Sequence, residues 1–380
     1  MRRKEYGVYD KLMGELRNED PSDFQNFMRM PPNIYNELLD RLRVRLTKKR
    51  TREPLEPGLK LAITLRHLAS GNSYVDMSYS WRVPHNTISI VVREVCKAIF
   101  DEYADEMLTT PDTEAGWRAI STEWYKKWNF PHTIGAIDGK HIACKSPPNS
   151  GSEYFNYKGF FSIILLALVD SDYKFLWADL SGTGSSSDAQ VYNASDLKKG
   201  LEEGTIAGWP RPDPLPHDRE DKCVPYFILG DDAFALRTYL MKPYSARRLI
   251  HEERIFNYRL SRARRVVENA FGIMVNRFRV LLKTMDHHVD SVKVIVKACI
   301  VLHNLLRSNF RQVDNHHVEE MERRDMQPGA WRSACDLADT MVVQGPNRAS
   351  RQGKMQRNLL KHWCNSPAGS VPWQEMMVAL

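Results

Sequence analysis

The chain of 380 residues carries a formal net charge of +7, with 42% hydrophobic and 27% charged residues, a balance that suits two or three folded domains and argues against global disorder. No apolar run approaches the roughly 20 residues of a membrane span, and the charged start Met-Arg-Arg-Lys-Glu-Tyr is unlike a secretory leader. Six scattered cysteines without a Cys-x-x-Cys pair suggest a reduced intracellular protein with neither zinc ribbon nor disulfide framework, and the twelve histidines lack ligand spacing.

Residues 1–110 read as helical. Residues 41–52 hold seven basic groups and no acidic one, with Lys48, Lys49 and Arg50 among them. Leu61, Leu65 and Leu68 recur at helical spacing, and Gly71-Asn72-Ser73 breaks the pattern. A short segment, Tyr74–Trp81, ends at a second break, Val83-Pro84-His85-Asn86. Ile88, Val91, Val92, Val95 and Ile99 then form one helical stripe. Helix, short helix, turn and longer helix is the layout of a helix-turn-helix module, and equally of a plain three-helix bundle. In the first case the last helix offers Asn86, Thr87, Ser89 and Arg93 to a DNA groove or phosphate.

Trp117–Trp128 predicts another helix, and from Thr133 the character changes to strands. Thr133–Ile137 and Ile142–Lys145 read as two short strands, and Phe160–Val169 as a strand buried on both faces. Asp170-Ser171-Asp172 signals a turn, so these acids are turn formers rather than metal ligands, and Tyr173–Leu180 returns as the hairpin partner. A polar loop, Ser181–Asp188, leads to a helix around Ser195–Glu203. Residues 204–225 form a Pro-rich insertion without regular structure, and Tyr226–Leu229 is a further strand. An amphipathic helix over 256–282 and an apolar helix over Val289–Leu306 follow, and 311–380 reads as a polar, loosely ordered tail with short helices.

This order predicts an α/β chain: a helix-turn-helix-like all-α region over 1–110, then an RNase H-like mixed-sheet catalytic domain over 111–310. Three acids stand where that fold keeps its ligands: Asp138 in Gly-Ala-Ile-Asp-Gly-Lys-His, Asp231 after the strand Tyr-Phe-Ile-Leu-Gly, and Glu268 on the arginine-rich helix. Each alone has an ordinary reading: an Asp-Gly turn, a helix cap, a surface pair of Glu268 with Arg264. Together, carboxylates from two strands and a helix can hold two divalent ions for phosphodiester chemistry. Residues 247–265 add seven arginines against Glu252 and Glu253, and of these Arg259, Arg262, Arg264 and Arg265 are the expected phosphate contacts. A metal-dependent phosphatase is opposed by the basic clusters and the helical N-terminal region.

On these motifs, together with Tyr-Lys-Gly-Phe-Phe-Ser, Gly-Ser-Ser-Ser-Asp-Ala-Gln-Val-Tyr and Asn-Tyr-Arg-Leu-Ser-Arg-Ala-Arg-Arg-Val-Val-Glu-Asn-Ala-Phe-Gly, the chain resembles PIF/Harbinger transposases and their domesticated nuclease relative across roughly residues 30–308. The resemblance implies that Asp138, Asp231 and Glu268 are the catalytic and metal-binding DDE acids, with Mg²⁺ or Mn²⁺ as cofactor. Asp231 is favoured over Asp232 because it directly follows the family's Gly. Asp188 matches an acid of the family's Gly-Ser loop and would orient groups behind the metal. The implied reaction is cleavage of double-stranded DNA at terminal inverted repeats and joining of 3′-hydroxyls to target DNA. A Myb-like companion protein, a homo-oligomer and a nuclear location are implied as well, with Lys48-Lys-Arg-Thr-Arg52 as a candidate import signal. The alternative is a domesticated DNA-binding or scaffold protein that no longer cuts.

Overall fold

The computed structural model describes residues 3–47, 54–218, 220–245, 248–309 and 349–378. These divide into two compact units. A helical unit takes 3–109, 142–150 and 272–309, and a mixed unit takes 110–141, 151–271 and 349–378. Among the described residues no helix is long and apolar enough to cross a membrane.

In the helical unit, α1 (Arg3–Tyr6), α2 (Leu12–Glu19), α3 (Pro21–Met28) and α4 (Pro32–Leu46) precede α5 (Pro57–Ser70), α6 (Tyr74–Trp81) and α7 (His85–Met107). The breaks do what the sequence predicts. Gly71 closes α5 in the left-handed conformation that glycine adopts without a steric cost. Ser73 caps α6 by accepting the Asp76 N–H, and Pro84 precedes α7. The stripe of Ile88, Val91, Val92, Val95 and Ile99 is buried. Asn86, Ser89 and Arg93 on the opposite face of α7 are exposed.

In the mixed unit, α8 (Glu114–Trp128) leads into β1 (Thr133–Ala143), β2 (Ser162–Val169) and β3 (Phe175–Thr183). Then come α9 (Asp188–Ala194), α10 (Asp196–Glu203), a small hairpin of β4 (Asp213–Pro214) and β5 (Cys223–Val224), β6 (Phe227–Leu229), β7 (Leu240–Met241) and α11 (His251–Arg277). A 3₁₀ turn (Arg279–Leu282), α12 (Val289–Asn309), α13 (Arg351–Cys364) and α14 (Gln374–Val378) complete the chain. The main sheet runs β3-β2-β1-β6-β7. β2 and β3 are antiparallel, whereas β6 is parallel to β1 and β7 parallel to β6. With the small hairpin set aside, the strands lie in the order 3-2-1-4-5 of an RNase H-like sheet. β2 is buried along its whole length, as its unbroken apolar run predicts.

Three expectations are corrected. The two short strands around Asp138 are one strand, β1, so Asp138 lies within it and not at its end. The Pro-rich insertion contains the β4–β5 ladder. α12 packs within the helical unit. Residues 349–378, expected in a loosely ordered tail with short helices, do carry helices, α13 and α14, but these pack into the mixed unit, because buried Leu360, Trp363 and Cys364 give α13 an apolar face.

Candidate active site

The parallel pairing of β1 with β6 sets the first two acids side by side. Ala136 is in register with Leu229, so Asp138 and Asp231, each two residues further on, reach the same level. In β1 the Ile137 side chain enters the core while Asp138 keeps a side-chain exposure of 14%, and its Oδ1 accepts the Gly139 N–H at 3.0 Å. Asp231 is turned by a local bond, its Oδ1 accepting the Ala233 N–H at 2.9 Å. Its neighbour Asp232 faces elsewhere, pairing with Lys242 Nζ at 3.0 Å.

Glu268 and Arg264 stand one turn apart on α11. Arg264 Nη2 meets Glu268 Oε1 at 2.7 Å, and its Nη1 lies 3.6 Å from Asp138 Oδ2. One guanidinium therefore bridges the strand acid and the helix acid.

A fourth acid approaches from α9. Asp188 is 1% exposed, and its carboxylate lies against the backbone of Gly139 so closely that a Cβ there would fall 1.9 Å from Oδ1. The Asp-Gly pair is thus not a turn signal: residue 139 must be glycine because Asp188 occupies the space. The sequence shows Asp188 and Gly139 as separate motifs, and only the fold joins them. The Gly-Ala-Ile-Asp-Gly-Lys-His motif also meets Tyr-Lys-Gly-Phe-Phe-Ser. His141 Nδ1 lies 2.9 Å from Ser162 Oγ, which also accepts from Asn156 Nδ2 at 3.0 Å.

The electrostatics follow from this crowding. Burial pushes the Asp138 carboxyl well above the usual carboxylate range. Arg264 opposes the shift, and Asp188, Asp231 and Glu268 add to it. Burial also raises Asp231, against the Ala233 N–H and Arg264, with Asp232 adding to the rise and Lys242 opposing it. Burial would lower Arg264, but Glu268, Asp138 and Asp231 outweigh it and raise its pKa.

Among the described residues no group of three acid, histidine or cysteine side chains is arranged to hold one metal ion, and Arg264 stands between Asp138 and Glu268. In donor chemistry the carboxylates nevertheless fit hard divalent cations, which need only one or two protein carboxylates each. Charge agrees: three acids act on one guanidinium, and Asp188 adds a fourth negative charge beside Asp138.

The expected phosphate contacts fare differently. Arg259 is corrected: it is 1% exposed, and its Nη1 donates to Gly369 O at 2.5 Å and to Gln374 Oε1 at 3.3 Å, while Nη2 donates to Asn129 O. It locks the C-terminal segment down. A sequence signal existed, since Arg259 lies three residues after buried Phe256 and four before buried Ala263. Arg262 is corrected as well. It lies between the Trp128 and Trp373 rings, 5.3 and 5.0 Å from their centroids, with Nη1 donating to Trp128 O. Arg264 serves the acids. Arg265 is half-buried and Arg93 exposed, while Lys48, Lys49 and Arg50 lie outside the described residues.

The sheet order and the acids define a DDE-type domain on an RNase H-like fold. The family model described as DDE superfamily endonuclease matches residues 137–304. The chain is 26% identical to "Putative nuclease HARBI1" of Bos taurus over 306 residues, covering 79% of this chain and 82% of the relative. It is 25% identical to the Homo sapiens protein of the same name over the same shares. It is also 25% identical to "Protein ALP1-like" of Arabidopsis thaliana, over 76% of this chain and 71% of the relative. No solved structure matches it at a significant level. The family model and these relatives support a Harbinger-type DDE superfamily assignment for this chain.

Proposed function

We propose that this chain is a DDE transposase that hydrolyses DNA strands at the ends of a mobile element and joins the freed 3′-hydroxyls to target DNA. The observation that carries the reading is the register of β1 and β6, with Asp138 and Asp231 level and Glu268 within reach through Arg264. Asp138, Asp231 and Glu268 would hold Mg²⁺ or Mn²⁺. When bound, such ions lower the pKa of a water nucleophile and stabilise the leaving oxygen. Asp188, held against Gly139, keeps the Asp138 carboxylate in place from behind. Arg264, which pairs with Asp138 and Glu268, would give up these oxygens to such ions and would then stand where it can meet a DNA phosphate. The exposed face of α7, with Asn86, Ser89 and Arg93, binds the duplex. A Myb-like companion, self-association and a nuclear location complete the proposal.

A second reading, a non-cutting descendant that binds DNA, draws on the Arg264 bridge, because the guanidinium and a divalent ion compete for the same oxygens. A cleavage assay decides between them, using DNA with the element's terminal repeats, Mg²⁺ or Mn²⁺, and the companion protein. Metal-dependent cutting by the wild type, abolished in Asp138→Ala, Asp231→Asn and Glu268→Ala and largely kept in Asp232→Asn, is expected. Equal cutting by the first three variants sinks the site, and no cutting by the wild type favours the second reading.

A further inference from the structure

The helical unit gathers arginines of its own. Arg66 on α5 donates from Nη1 to Phe27 O at 2.8 Å and lies 4.1 Å over the Phe27 ring, which draws it onto the end of α3. Arg29 follows α3 immediately, at φ 59°, a left-handed position that normally favours glycine. A long charged side chain is thus kept where the backbone would be better served by none. The 3₁₀ turn packs at this same C-terminal end of α5. Gly71 is so close to it that a Cβ there would lie 3.2 Å from Arg279 O, and Lys283 Nζ donates to Gly71 O at 3.0 Å. Arg277 and Arg279 thus lie near enough to Arg29 for their charges to act on it.

Among the described residues no acid pairs with Arg29, Arg66 or Arg279, and Arg29 Nε is buried without an acceptor. Burial, then Arg279 and Arg277, lower the Arg29 pKa, and burial and Arg29 lower that of Arg66. Like charges held together with an unsatisfied buried donor destabilise a fold, unless an anion completes the arrangement.

We propose that Arg29, Arg66 and Arg279, with Arg277 beside them, form a phosphate-binding site on the helical unit that grips a DNA backbone phosphate. The assignment to DNA rests on the proposed function; the anion site itself does not. Planar guanidinium groups suit a phosphate diester, whose oxygens accept paired N–H donors.

The test uses the full chain, with Arg29→Gln, Arg279→Gln and the double variant beside Lys126→Gln, an exposed lysine of α8, as control. Arg279 is exposed, so its substitution leaves the fold in place even where Arg29→Gln does not. Pyrophosphate is expected to raise the wild-type melting temperature and to lose that effect in the variants, which without anion melt no lower than wild type. Duplex affinity against salt is expected to lose about one unit of log–log slope per arginine removed, with the control unchanged. If wild type binds DNA and Arg279→Gln keeps both affinity and slope, the DNA grip is overturned while the proposed function stands. If wild type binds no DNA but pyrophosphate still stabilises it through these arginines, the proposed function and the DNA assignment fall together and the site serves another phosphate ligand. Absence of any pyrophosphate effect overturns the anion site.

Discussion

Gly139 shows how one missing methyl group can set a chemical site. Its Cα faces the Asp188 carboxylate, and a Cβ would sit 1.9 Å from Oδ1 and 2.3 Å from Cγ, distances that no side-chain adjustment of a 1%-exposed residue absorbs easily. Gly139→Ala must therefore push α9 or its acid away from β1. Overpacking of this kind costs about 1–3 kcal/mol. The expected outcome is a lower urea midpoint at unchanged m-value, together with loss of divalent-ion binding measured by calorimetry. Asp188→Ala in the same background should recover much of the stability, because it removes the colliding group, but not the ion binding. If Gly139→Ala alone leaves both quantities at wild-type values, Asp188 does not press on β1 as described.

At the scale of elements, the β2–β3 hairpin turns on Asp170, whose Oδ1 accepts the N–H groups of Asp172 and Lys174 at 2.8 and 2.9 Å. Its reading as a turn former holds. Burial raises its pKa from 3.8 to about 6, against the Lys174 N–H, with the Asp172 charge adding to the rise. The sign is that of an acid protonated more readily in the folded state. Its contribution is present at low pH and lost as pH climbs from about 4 through about 6, where the folded chain holds a proton that the unfolded chain lacks. Asp170→Asn lacks that proton equilibrium. Its stability relative to wild type should rise across this window by up to about 3 kcal/mol and level off above it, read from urea midpoints at successive pH values. A difference that does not vary with pH would mean that Asp170 stays ionised in the fold. The same scale marks how far the sequence could be read. The helix breaks, the buried run of β2 and the Asp170 turn were legible because Gly, Pro, Ser and Asp act on their own backbone within a few residues. The fusion of two short strands into β1 was not, since Asp138-Gly139 reads locally as a turn and is extended only because a distant helix fills the space. Counting arginines along α11 likewise missed that Arg259 and Arg262 point at carbonyls and tryptophans from the end of the chain.

For the molecule as a whole, the acid triad could be ordered from sequence because RNase H-like topology ties strand order to chain order. The extent of the helical unit could not be, because that unit closes with segments far along the chain. α12 runs with α7: Asn304 Nδ2 donates to Met107 O at 2.7 Å, and Cys96 and Cys299 are both fully buried. Val292, Ile295, Val296, Ile300, Val301, Leu302, Leu305 and Leu306 are each at most 2% exposed. Burying such a side chain contributes about 1.5–3 kcal/mol, so this one helix carries apolar burial that rivals or exceeds the roughly 5–15 kcal/mol net stability of a domain. Residues 1–110, although continuous and helical, therefore lack the partner that α7 needs. Expressed alone, they should keep helical far-ultraviolet dichroism but melt without a cooperative transition and bind a hydrophobic dye, as a chain with secondary structure and no fixed core does. A peptide of residues 272–309, which brings the 3₁₀ turn and α12, should restore a sharp transition that depends on peptide concentration. A fragment 1–110 that unfolds cooperatively by itself would show that α12 covers the helical unit without completing its core.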